Sequence, residues 1–350
     1  MKKLIIFSLF LLIFSGPFFA GYASDDSSVD SGEKYTLSFA NFMPAESPFE
    51  SEITAAFIEE IEKATDGRVE IENYPGGALL QGGNIYSGVV QGVADIGFEC
   101  LSWVEGRFPV SYMFEQPGVP FESDAAATSS FNEAMEILNP KEFDDVKPLF
   151  FMCTGPGHIM SNVPIRSMED MEGLEFRSTS AMAPAIKALG ATPISMPVSD
   201  VYEALDRGVV DAHISPLEQL RTWGIAEVID YVTMTPFLYN ANFALVMNQE
   251  SYNELPGDIQ NTIDEVIDKI FKEHAVGFFG RQNKVQLEWA IKEHDLEVIE
   301  LSEEEEERWH EQVIFVMEEY AEKLEEKGLP GKEAKQLMMD LGEKYNKKFK

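Results

Sequence analysis

Basic side chains are scarce in this chain: 27 lysines and arginines stand against 61 aspartates and glutamates, a formal net charge of −34. Nucleic acids and anionic membranes need a basic face, so neither is expected as a partner. Cysteine is nearly absent. Cys100 and Cys153 are the only two, and one disulfide or two buried thiols fit equally well. Beyond the N-terminal segment no run approaches about eighteen uninterrupted apolar residues, so no membrane insertion of the mature chain is expected. GxSxG, HExxH, CxxC and P-loop spacings are missing, as are internal repeats. An enzyme is therefore not expected, and neither a cofactor nor a resident metal is assigned. Among so many acids the sequence singles out no metal-binding set.

What is present reads as a globular protein, with 45% hydrophobic and 11% aromatic residues over 350 positions. "MKKLIIFSLFLLIFSGPFFAGYA" (1–23) has two lysines, an apolar run and a small-residue site, the pattern of a cleavable signal peptide. A periplasmic, monomeric protein is expected. An acidic linker follows at 24–34. The acidity itself reads as adaptation to concentrated salt, where screening shortens electrostatic range. The run "SEEEEERWHE" is a solvated helix start favoured by the helix dipole.

From Lys34 onward, strand and helix patterns alternate. "YTLSFANF" (35–42), "VEIENYP" (69–75) and "ADIGFEC" (94–100) read as strands, with helices over 47–68 and 82–93 between them. This order predicts a parallel sheet, with ligands beyond the strands' carboxyl ends after Phe42, Pro75 and Cys100. "VKPLFFMCTG" (146–155) is an apolar strand leading to a second unit. There the strands are "LEFRSTS" (174–180), "ATPISMP" and "VVDAHIS" (209–215), with a helix over 199–208 capped by Ser199. "FLYNANFALVMN" (237–248) returns to the first unit, and a long helical segment runs from Pro256 to His294. The expected fold is α/β and two-lobed. One lobe comprises 35–154 plus about 240–277, the other 155–239 plus about 278–350. Crossing strands would leave a cleft that closes by a hinge.

Arg177 lies inside an apolar strand whose end, Ser178, Thr179 and Ser180, is polar. A guanidinium holds a carboxylate through two parallel charge-assisted hydrogen bonds. A structural ion pair with Glu172 or Glu175 is the equally open alternative from these residues alone.

The run "MEDMEGLEFRSTSAMAPAIKALGATPISMPVSDVYEALDRGVVDAHISP" resembles the signature segment of TRAP-transporter solute-binding proteins of the dicarboxylate-binding (DctP) type. The resemblance lies in Met171 to Arg177, Leu189 to Pro193 and Asp200 to Ala212, and extends to "ATDGRVEIENYPGGAL", "GVADIG" and "NELPGDIQ". It implies a periplasmic-binding-protein-like (type II-like) fold with mixed sheets, hinge strands and a long inter-lobe helix. It implies a small organic carboxylate as ligand, TRAP membrane permease subunits as partners, and Arg177 as the carboxylate clamp. Ser215 stands where relatives carry a ligand-contacting asparagine, with His213 on the same strand face. Relatives carry a second arginine where this chain has Gly157 and His158, and polar residues where it has Glu99, Cys100 and Trp103. Phe42, Met43, Ser180, Val198 and Tyr239 complete the expected ligand-binding set. One arginine among such apolar neighbours suggests a monocarboxylate with an apolar or aromatic remainder, because a second buried carboxylate would lack a partner. A dicarboxylate or sugar acid is the runner-up. A secreted α/β enzyme, using His158 and His213, or a sensor presenting its ligand to a receptor are the readings of other classes.

Overall fold

The computed structural model describes residues 32–118 and 121–350. The expected signal peptide and most of the linker lie outside these residues. Lys34–Lys350 forms one unit, and among the described residues its eleven strands make two sheets. They are β1 (Tyr35–Asn41), β2 (Val69–Tyr74), β3 (Ile96–Cys100), β4 (Val146–Cys153), β5 (His158–Ser161), β6 (Glu175–Ser178), β7 (Thr192–Ser195), β8 (Ala212–Ser215), β9 (Tyr231–Met234), β10 (Asn242–Asn248) and β11 (Glu297–Glu300).

The first sheet runs β2-β1-β3-β10-β4 and the second β11-β9-β5-β8-β6-β7. β1 pairs in parallel with β2 and β3, as the alternating pattern predicts. β10 closes that sheet antiparallel to β3 and β4. In the second sheet β6 lies parallel to both β7 and β8, while β5 runs antiparallel to β8 and β9. Both sheets are thus mixed. β3 and β10 are buried along their whole length, which is why "IGFEC" and "NFALVMN" carry no polar alternation.

Two segments cross between the sheets, 154–157 from β4 to β5 and 235–241 from β9 to β10. They are tied to each other: the Thr154 N–H donates to the Ala241 carbonyl at 3.0 Å and the Gly157 N–H to the Tyr239 carbonyl at 2.8 Å. The strand read over 237–248 therefore begins only at Asn242, because its first residues spend their hydrogen bonds on the crossing. β5, β9 and β11 are too short for their period to show in the sequence.

The helical run after Pro256 is broken. Gly257–Ile270 continues as a π-turn to Ala275, and Gly277, at φ 79°, starts Phe278–His294. The first half packs on Ala55–Ala64 beside the first sheet, the second on Gln219–Thr222 beside the second. Glu303–Glu326 opens on Ser302, whose hydroxyl accepts the Glu305 N–H, with four glutamates in its first turn as expected. The C-terminal helix Gly331–Lys348 packs on Asp124–Leu138. Ser199 is not a cap: it sits inside a 3-10 turn (Val198–Asp200) ahead of the helix Val201–Asp206.

Candidate functional site

β6 delivers Arg177 to the interior, where it is only 1% exposed. Its Nε and one terminal nitrogen donate to the Met196 carbonyl at 3.0 and 2.8 Å, just beyond β7. The other terminal nitrogen reaches Ser215 Oγ, at the end of β8, at 3.5 Å. Its partners are thus neutral oxygens, and among the described residues no carboxylate pairs with it. Glu172 and Glu175, the sequence alternatives, are exposed, and Glu175 opens β6 away from the guanidinium. Burial pulls the Arg177 pKa down, and Tyr239, Cys100 and Asp200 oppose that pull from a distance. Guanidinium has five N–H donors, so two remain for an incoming acceptor.

Arg177 borders an internal cavity of about 20 Å³. Phe42, Met43, Cys100, Trp103 and Phe243, all within the first expected lobe, contribute to its wall, as does Phe279 on the helix Phe278–His294. Phe42, Phe98, Phe243 and Phe279 stack at 5.2–6.1 Å between neighbouring ring centres, so this wall is the surface of an aromatic core. The second lobe contributes Val198, Pro216, Glu218, Gln219 and Trp223, and the crossing segments Thr154, Tyr239 and Ala241. Outside it lies a larger recess of about 210 Å³ that shares Phe42, Trp103 and Trp223. The lobes touch across the gap. Phe42 and Trp223 stack at 6.5 Å, and Ser180 Oγ donates to the Ser102 carbonyl at 2.6 Å. The inner space holds about one water, so a larger guest enters only when these contacts part.

The fold gathers Arg177, Phe42, Met43, Cys100, Trp103, Val198 and Tyr239 on one cavity wall, with Ser215 bonded behind the arginine. It does not bring the other expected residues there. Glu99 turns away: its oxygens accept the N–H groups of Gly83, Ile85 and Cys100 at 3.0 Å, at the start of helix Ile85–Val90. Burial raises its pKa and these N–H groups lower it, leaving it at about 7. His158 Nδ1 accepts the Thr235 N–H at 3.0 Å, and burial lowers its pKa to about 4, so it is a neutral brace on a crossing segment. Gly157 meets no open space, since a Cβ there would stand 2.4 Å from the Tyr239 ring and 3.0 Å from the Ser215 backbone. His213 lies opposite Arg177 across β6 and β8, fully buried, its pKa held down by burial and by that arginine, with both ring nitrogens unpartnered among the described residues. Ser180 serves the contact between lobes. An acid–base pair of His158 and His213 is thus not assembled. Cys100 and Cys153 are both free thiols.

Sequence reasoning missed Trp223, Glu218, Gln219, Phe243 and Phe279. A usable signal existed for three of them. Glu218, Gln219 and Trp223 follow the carboxyl end of β8, where parallel sheets place ligand loops. Phe243 and Phe279 carried none, as each lies in an apolar run.

The model of the DctP family, "Bacterial extracellular solute-binding protein, family 7", matches residues 39–324. The C4-dicarboxylate-binding periplasmic protein DctP of Rhodobacter capsulatus is 26% identical over 297 residues, 83% of this chain and 88% of its own. A TRAP periplasmic solute-binding protein of Desulfovibrio salexigens, solved as an open complex, is 33% identical with a TM-score of 0.76, covering 89% of this chain and 96% of its own. A TRAP solute-binding protein of Rhodoferax ferrireducens, in complex with copurified benzoate, has the same fold at 24% identity, with a TM-score of 0.84 over 91% of this chain and 100% of its own. Among the described residues no helix is long and apolar enough to cross a membrane.

Proposed function

The chain belongs to the DctP family of bacterial extracellular solute-binding proteins, family 7, and on that premise we propose that it captures a small monocarboxylate with an apolar or aromatic body in the periplasm. The two lobes close on the ligand, Arg177 clamps the carboxylate, and membrane permease subunits of a TRAP transporter receive the cargo. Export follows from the N-terminal signal peptide read at 1–23.

One observation carries the ligand class. Arg177 is a fully buried cation met only by neutral oxygens. Such a charge is costly until an anion joins it, and in a dry cleft the resulting pair gains strength. Binding and closure are thereby coupled, because a ligand that touches both lobes stabilises the shut form. Phe42, Trp103, Trp223 and Phe243 supply flat apolar walls suited to a ring. The same fold holds benzoate, aromatic acids and mandelate in three relatives. A dicarboxylate, as the name of the Rhodobacter relative suggests, finds no second cation among the described residues that line this cavity and instead meets Glu218.

Mass spectrometry of the small molecule that copurifies with the protein tests the class directly. A thermal-shift panel complements it: benzoate, phenylacetate and mandelate are expected to raise the unfolding midpoint more than succinate or malate. A larger shift with succinate overturns the monocarboxylate reading.

A further inference from the structure

Three polar groups border the cavity without contacting Arg177. Glu218 and Gln219, 5% and 8% exposed, follow β8. Trp103 faces them from the first lobe, after β3. Gln219 Oε1 and Trp103 Nε1 are buried and have no hydrogen-bond partner among the described residues. Burial raises the pKa of the Glu218 carboxyl to about 7, and the Thr222 hydroxyl beside it opposes that rise. Among the described residues no hydrogen bond or ion pair joins Glu218 to Arg177, so the two are separate poles of the cavity rather than a pair.

Buried polar atoms of a finished core have partners, and each orphan is destabilising. Two orphans around a single cavity form a complementary set. Gln219 offers an acceptor, and the Trp103 indole offers a donor. A hydroxyl group satisfies both kinds, since it donates one hydrogen and accepts through its lone pairs. An arylamine donates but accepts poorly, because its lone pair is delocalised into the ring, and a second carboxylate cannot donate to Gln219.

Building on the carboxylate reading above, we propose that the cavity is specific for a hydroxylated acid. Arg177 binds its carboxylate, and its hydroxyl donates to Gln219 Oε1 while accepting from Trp103 Nε1. An acid without that hydroxyl leaves Gln219 Oε1 and Trp103 Nε1 unpaired after closure. This is the stronger form of discrimination, because the penalty falls on the protein's own buried atoms.

The test is isothermal titration of the full mature protein, stripped of copurified ligand. The panel contains benzoate and phenylacetate, their ortho, meta and para hydroxy derivatives, and the matching amino derivatives. At least one hydroxy isomer is expected to bind about tenfold or more tightly than its parent. Trp103→Phe and Gln219→Met, chosen to keep shape, are each expected to cut that ratio by about threefold or more. Circular dichroism and the unfolding midpoint report whether each variant folds. If one variant does not fold, the other and the wild-type ratio still decide. Equal binding of parent and hydroxy acids by the wild type overturns the proposal and leaves the carboxylate reading standing. A preference for amino over hydroxy derivatives, or a hydroxyl preference that survives both substitutions, also overturns it. Failure of every acid to bind refutes the carboxylate reading as well.

Discussion

Glu99 at the end of β3 and Arg177 on β6 are equally buried, at 0% and 1% exposure, the first on the middle strand of its sheet and the second one strand in from an edge. Their charges are met in different ways. Glu99 accepts backbone N–H groups from the start of a helix and from its own strand end, which act together as a local positive pole. Arg177 donates to one carbonyl and one hydroxyl and keeps donors in reserve beside a cavity. Burial alone therefore does not tell the two apart. Saturation of their hydrogen bonds does, and the proposed clamp rests on the donors that Arg177 keeps.

The contrast is open to four measurements. Arg177→Met should weaken carboxylate binding by about a hundredfold or more, the loss of a desolvated charged contact. The ligand-free unfolding midpoint should hold or rise, since an uncompensated buried charge is removed. A variant that unfolds without ligand would make Arg177 structural like Glu99. Glu99→Gln should do the reverse. Chemical denaturation is expected to find it about 2–4 kcal/mol less stable, while affinity changes by less than about threefold.

Glu115 offers an intermediate case. One of its oxygens accepts the Asn242 N–H at 2.8 Å, while the other has no partner among the described residues, and burial raises its pKa from 4.5 to about 8. Such a group keeps its proton in the native state after the unfolded chain has lost it. Its contribution is fully present below pH 4.5 and is lost as the pH rises toward about 8. Stability should thus fall from mildly acidic to mildly basic pH, and Glu115→Gln should flatten that slope in urea titrations. Glu169, held at about 2 by Arg308, acts in the opposite sense and only as the pH drops below 4.5. The smallest effect expected is that of Ser180→Ala. Loss of the hydrogen bond to Ser102 should cost about 1 kcal/mol of ligand affinity, seen as faster release in stopped-flow traces. An unchanged release rate would show that this contact does not hold the lobes shut.

The legible part of the site was the part encoded locally. Phe42, Cys100 and Trp103 follow strand ends of a recognisable parallel order, and Arg177 stood out as a cation in an apolar strand. Glu99 satisfied the same local rule and failed, because the N–H groups that occupy it come from Gly83 and Ile85 on a neighbouring helix start. His158 failed for a related reason, since Thr235 claims its ring nitrogen from the other crossing segment. Phe243 and Phe279 line the cavity only because β10 and a helix from far along the chain converge there.

By itself, the sequence determined the alternation of strands and helices, the family resemblance and the lone arginine of β6, all of which depend on neighbours within a few positions. Only the tertiary structure decided which buried charges the protein's own groups saturate and which keep unused donors beside a cavity. Partners such as Met196 for Arg177 and Thr235 for His158 lie 19 and 77 residues away, and hydrogen bonds at that separation exist only once the chain has folded.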